Sequence, residues 1–260
     1  KTTFERFALV GEALGDILPV RLTGVNIFYS VTWDFISCYR GVGPLLMDLA
    51  DRPEFMHRIV RMLTDFQLAE FDQYEELGLL DPVNYILHCT PGLTDDLPQR
   101  KAIDGKATRR DIWGRGAAQI FASVSPSMHD EFDIEYMLET IGKCGLSYYG
   151  CCEPLDRKID IVSRLPNLRK ISVTPWADVN VAAEAIGGGY VLSSKPNPAK
   201  VAVGRLDVDD LRKEIGTILD ACRKNDCSCD IVLKDISSCG NRPGNIFEWE
   251  RIVMEMVKSY

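Results

Sequence analysis

Beyond Gly78 the chain alternates short apolar runs with amphipathic stretches, and this alternation limits the possible folds more than any other feature of the sequence. Strands are expected at 84–89, 117–123, 146–151, 168–174, 190–194 and 230–234, all rich in Val, Ile, Leu, Tyr or Phe. Helical periodicity occupies 134–143, 155–163, 179–185, 208–225 and 246–257. Several strands are apolar at consecutive positions, as in a parallel sheet covered on both faces. Repeated βα units in 260 residues leave two architectures, an open doubly wound sheet or a (β/α)8 barrel. No Gly-x-Gly-x-x-Gly follows an early strand, and Gly187-Gly188-Gly189 precedes a strand instead of opening a helix. The glycine run therefore reads as a tight αβ turn, and the expected α/β fold is the TIM barrel, which needs about 250 residues. The strand count falls one or two short. The missing unit is expected near 17–22 or ahead of Lys1, since a chain that opens on Lys rather than Met has been processed, tagged or cut.

One barrel domain is expected over 1–260, with a helix-rich part at 1–80 and regular βα units from 81 onward. Between Pro53 and Leu79 the residues Phe55, Ile59, Met62, Leu63, Phe66 and Phe71 recur near every 3.6 positions, predicting one long amphipathic helix. Asp51 is its expected N-cap and Gly78 its stop.

A chain this long buries about three-quarters of its unfolded surface and needs no disulfide framework. Its nine cysteines, an odd number, point to a reducing cytoplasm with thiols free or metal-bound. Cys38, Cys144 and Cys222 read as core residues. A net charge of −8 argues against nucleic acid and anionic membrane as partners. No apolar run reaches the roughly 18 residues of a spanning helix, and no signal peptide opens the chain.

Barrel sites lie on the loops that follow the strands. Those loops carry His88-Cys89-Thr90, then Ser125 through Phe132 with His129 and Glu131, then Gly150-Cys151-Cys152-Glu153, Thr174-Pro175-Trp176, Ser194-Lys195-Pro196 and Lys234-Asp235. Blander roles compete: Asp130 and Asp178 suit N-caps, Lys195 a solvated loop and His88 a core histidine. The Gly150–Glu153 loop stands out. Adjacent cysteines point apart, so at most one of Cys151 and Cys152 is expected to face the site, and a thiolate with Glu153 and His129 nearby suits Zn²⁺. Cys227-Ser228-Cys229 precedes its strand and reads as structural.

The stretches Tyr148-Tyr149-Gly150-Cys151-Cys152-Glu153-Pro154-Leu155, Lys170-Ile171-Ser172-Val173 and Val191-Leu192-Ser193-Ser194-Lys195-Pro196 resemble the uroporphyrinogen decarboxylase superfamily, in particular its corrinoid-dependent methyltransferase branch. The resemblance covers about 80–260 and implies a (β/α)8 barrel. It implies a catalytic zinc bound by His-x-Cys and a later Cys; here Cys151 matches the first cysteine, Tyr149 stands where the histidine would be, and the later position falls near Asp235 or Cys239. This leaves two alternatives, a variant metal shell of Cys151, Glu153 and His129 with Glu131 as a further candidate, or no metal at all.

The implied function moves a methyl group from a small O- or N-methyl compound to a corrinoid (cobalamin) protein. Glu131, Tyr149 and Asp235 are then the expected catalytic groups, as proton or hydrogen-bond donors to the leaving oxygen. His88, Trp176 and Lys195 are expected to bind substrate, and a homodimer fits the same picture. The rim aromatics Trp113, Tyr148, Tyr149 and Trp176 suit an aromatic or quaternary ammonium ligand. A porphyrinogen decarboxylase is the alternative, but Lys195, Lys234 and Arg115 are few cations for a polyacid. A non-catalytic barrel acting as a binding component is the third reading.

Overall fold

A computed structural model describes residues 2–83, 86–99 and 102–260. Helix α1 (Thr2–Leu14) buries none of its residues. Strand β1 (Ile27–Ser30) leads into α2 (Thr32–Arg40), α3 (Val42–Asp51) and α4 (Pro53–Leu77). Then β2 (Trp113–Gly116), α5 (Pro126–His129), α6 (Glu135–Glu139), β3 (Leu146–Tyr149), α7 (Ile159–Val162) and β4 (Leu168–Val173) follow. The chain continues through α8 (Val179–Ile186), β5 (Val191–Ser194), α9 (Val208–Lys224), β6 (Cys229–Ile231) and α10 (Gly244–Ser259).

The strands form one six-stranded sheet in the order β1-β2-β3-β4-β5-β6, every pair parallel. Strand order follows chain order without reversal, unlike a doubly wound sheet. One face is apolar. Tyr149, Ile171, Val173 and Leu192 pack there with Ala183 of α8, Ile215 of α9 and Ile252 of α10, and Phe28 stacks on Phe71 of α4 at 3.7 Å. The other face is polar, so the strands alternate instead of being apolar on both sides.

Three expected strand positions move. The first strand lies at Ile27–Ser30, not at 17–22. The expected strand at 117–123 is a 3₁₀ turn (Gln119–Ser123), and β2 precedes it. Glycines, poor strand formers, hide β2 in the sequence. They are required there: a Cβ on Gly114 would stand 2.7 Å from Ile141 Cβ, and one on Gly116 2.7 Å from Ile141 Cδ1. Of the expected strand at 84–89, Asn84 and Tyr85 lie outside the described residues. Ile86 makes only an isolated antiparallel bridge to Pro91, and His88 has φ 66°.

Gly78 ends α4 with φ 67°, as expected, and Asp178 caps α8 through the amides of Asn180 and Val181. Asp51 does not cap α4, because it closes α3. Asp130 is not an N-cap; Ser125 caps the start of α5, and Asp130 follows its end in a π-turn between α5 and α6. Cys144 and Cys222 are buried, whereas Cys38 is exposed. The buried stripe of α4 runs through Met56, Val60, Thr64 and Phe71. Phe55, Met62 and Phe66 instead line an apolar groove of about 850 Å³ with Tyr29, Phe35 and Tyr39. Among the described residues no helix is long and apolar enough to cross a membrane.

Candidate functional site

Strand pairing aligns Tyr29, Arg115, Tyr148 and Lys170 across β1–β4, and Ser193 with Asp230 on β5 and β6. These side chains make up the polar face. Residues 87–92 lie across it: Trp113 Nε1 donates to Gly92 O (3.1 Å), Lys170 Nζ to Pro91 O (2.7 Å), and Thr90 Oγ1 lies 2.7 Å from Ser193 Oγ. Buried Leu87 anchors the turn, and Gly92 accommodates it, since a Cβ there would stand 2.9 Å from the Leu87 side chain.

This crossing segment brings His88 and Cys89 to Cys151. One imidazole nitrogen and the two sulfurs all lie within 4.8 Å of one another. Gly150, at φ 98°, turns the chain after β3; a Cβ there would meet Leu155 at 2.6 Å. Glu153 holds that turn by accepting from the amides of Cys151 (3.0 Å) and Ala118 (3.2 Å). Burial pushes the Glu153 carboxyl up, against the pull of those amides.

The two buried thiols are shifted in opposite directions. The Cys151 thiol donates to Cys89 and draws its pKa down to about 5; burial opposes this, while the Tyr148 hydroxyl and the charges of Lys195 and Arg115 assist. The same hydrogen bond, with burial, pushes Cys151 up. Lys234 Nζ stands 3.4 Å from Cys151 Sγ, 3.0 Å from Cys152 Sγ and 2.7 Å from Asp235. Burial works against its charge, but the bonds to Asp235 and Cys152 outweigh it and hold Lys234 above the usual lysine range. Deeper on the polar face, Lys195 donates to Ser193 Oγ (2.5 Å), and its ammonium lies 5.7 Å from the centre of the Tyr148 ring. Burial draws Lys195 down to about 8. The Arg115 guanidinium lies 4.7 Å from the centre of the Tyr29 ring.

The expected site residues divide. Cys151, His88 and Lys195 meet on the polar face, and Asp235 joins them at its rim through Cys152 Sγ (3.5 Å). His129, Tyr149 and Glu153 do not supply ligands to Cys151. Consecutive strand residues point to opposite faces, so Tyr148 enters the polar face and Tyr149 the helix-packed one. There Tyr149 donates to Asp133 (2.5 Å) and lies 2.6 Å from His129 Nε2, while Lys158 Nζ stands 3.3 Å from His129 Nδ1. Burial and the nearby Asp133 push the Tyr149 hydroxyl up, so it keeps its proton. Glu131 is 55% exposed and hydrogen-bonds to His57 at 3.0 Å. Trp176 is 72% exposed, and its ring enters no stacking or cation–π pair among the described residues.

Cys89 is absent from the expected site residues, and Arg115 enters only as a cation of the decarboxylase alternative. The adjacency of Cys89 to His88 and the alternation Trp113-Gly114-Arg115-Gly116 were the available signals. Two thiols and an imidazole are a zinc donor set that leaves a fourth position for substrate. No family model matches the chain, and no curated protein matches it.

Proposed function

We propose that the protein is a corrinoid-dependent methyltransferase, moving a methyl group from a small O- or N-methyl compound to cobalamin carried by a partner protein. The observation that carries this reading is the triad His88, Cys89 and Cys151 on a polar sheet face. We infer further that the unreversed parallel sheet is the larger part of a (β/α)8 barrel. A reducing cytoplasm suits the nine cysteines, all of which are free.

The donor set fits zinc: Cys89 is held toward the thiolate, and the Lys234 ammonium stands 3.4 Å from the Cys151 sulfur. When bound, zinc would supply Lewis acidity toward a methyl-bearing heteroatom or a thiol. Tyr148 keeps its proton, since burial and the adjacent Cys89 push its pKa well above 10, and its hydroxyl orients the Cys89 sulfur at 3.1 Å. Lys234 places positive charge beside Cys151 and lowers the cost of ionising it. The hydrogen bond from Lys234 holds the Asp235 carboxyl below its usual range, so Asp235 acts as an acceptor and not as an acid. Lys195, drawn down to about 8, is placed to release a proton near neutral pH and serves as the general acid. The exposed rim at His88 and Asp235, with half-buried Cys152, is where a partner would present its cofactor.

The test is incubation of zinc-loaded protein with a reduced corrinoid protein and a panel of methyl ethers and methylamines. Methylcobalamin absorbance is expected with at least one compound and is lost in Cys151→Ala. Silence across the panel, with a porphyrinogen acid losing carbon dioxide instead, would replace this reading with the decarboxylase.

A further inference from the structure

The proposed methyl transfer leaves Arg115 unused. Its side chain is fully buried on β2, and Nε, Nη1 and Nη2 have no hydrogen-bond partner among the described residues. A guanidinium does not shed its charge, and a buried charge without a partner is strongly unfavourable. Its neighbours are treated differently. Lys170 is paired with Asp230 and Lys234 with Asp235, each at 2.7 Å. Zinc with two thiolates is neutral as a set, so metal binding would leave Arg115 uncompensated. The hydrogen bond of Lys195 goes to Ser193 and not to a carboxylate, which makes it a second cation in excess. Tyr29, whose ring covers the guanidinium, is itself exposed and forms part of the groove wall. Arg115 therefore lies one side chain below solvent.

We propose that Arg115 is the receptor for a carboxylate on the substrate, its planar fork donating two parallel N–H···O bonds. Two uncompensated cations suit a mono- or dicarboxylate and not a polyacid. A singly charged planar carboxylate also matches one guanidinium better than a phosphate dianion does. The identification of the ligand as a methylated acid rests on the methyl-transfer reading; the anion site does not.

The test measures unfolding temperature as sodium acetate replaces sodium chloride at constant ionic strength, with inorganic phosphate as a second arm. Acetate should stabilise the protein saturably, by about 3–5 °C at ten times its Kd. Arg115→Met should abolish this response while unfolding no lower than the parent, because an apolar isostere replaces an unpaired buried charge. If Arg115→Met fails to fold, Arg115→Lys, which keeps the charge but loses the fork, should weaken the response at least tenfold. No acetate response in the parent, a response that survives in Arg115→Met, or a response to phosphate alone would each overturn the proposal. The same titration on Cys89→Ala, which holds neither the metal nor the Cys89 thiolate, should be unchanged, so failure of the metal site and failure of the anion site are read separately.

Discussion

The sulfur of Cys89 lies 3.1 Å from the hydroxyl of Tyr148, tying the crossing segment to the middle of the sheet and supporting Cys89 as a thiolate. Its folded-state pKa of about 5 is far below the ordinary thiol value of about 8.5. In metal-free protein the stabilisation from Cys89 is complete above about pH 8.5, declines as pH falls and is gone below about 5. Cys151 is shifted the other way, so its contribution turns unfavourable above the ordinary thiol range. Cys89→Ala should flatten the rise in unfolding temperature between pH 5 and 8.5. Tyr148→Phe should move the onset of ultraviolet thiolate absorbance to higher pH. A rise that persisted in Cys89→Ala would assign the thiolate elsewhere.

Zinc content separates the triad from the residues on the opposite side of β3. Purified protein should hold one equivalent of zinc, and Cys89→Ala or Cys151→Ala should weaken binding at least tenfold, as loss of a ligand does. His129→Ala should keep the metal, since His129 faces Tyr149 and Lys158. Elemental analysis with a competing chelator checks all three.

Lys195 is a destabilising charge at neutral pH. Burial lowers its pKa to about 8, so the folded state resists protonation that the unfolded chain accepts. Stability from this group therefore rises as pH climbs from about 8 toward the usual lysine value of about 10.4. Lys195→Met should raise stability by roughly 2 kcal/mol at pH 7, and the gain should vanish above about pH 10.5. Urea denaturation at pH 7 and pH 10.5 measures both. The same variant should lose methyl transfer.

On the helix-packed face, Tyr149→Phe would strip a hydrogen bond from buried Asp133 and buried His129. Leaving such groups unsatisfied costs about 1–3 kcal/mol each. Denaturant melts should show that loss, while zinc affinity stays within twofold of the parent. A loss of metal without a loss of stability would move Tyr149 into the site.

Local order was legible in the chain. The 3.6 spacing marked α4, α9 and α10, the apolar runs marked β3, β4 and β5, and Gly78 and Asp178 announced their caps. These signals depend on neighbours within a few residues, so a linear reading can find them. Tertiary packing decided the rest. It placed β2 on glycines that make room for Ile141, took residues 86–91 out of the sheet, and sent Tyr148 and Tyr149 to opposite faces. The triad joins residues 88 and 89 to residue 151, and Tyr29 of another strand lies over Arg115. Such pairings depend on contacts between distant segments, which local periodicity does not encode.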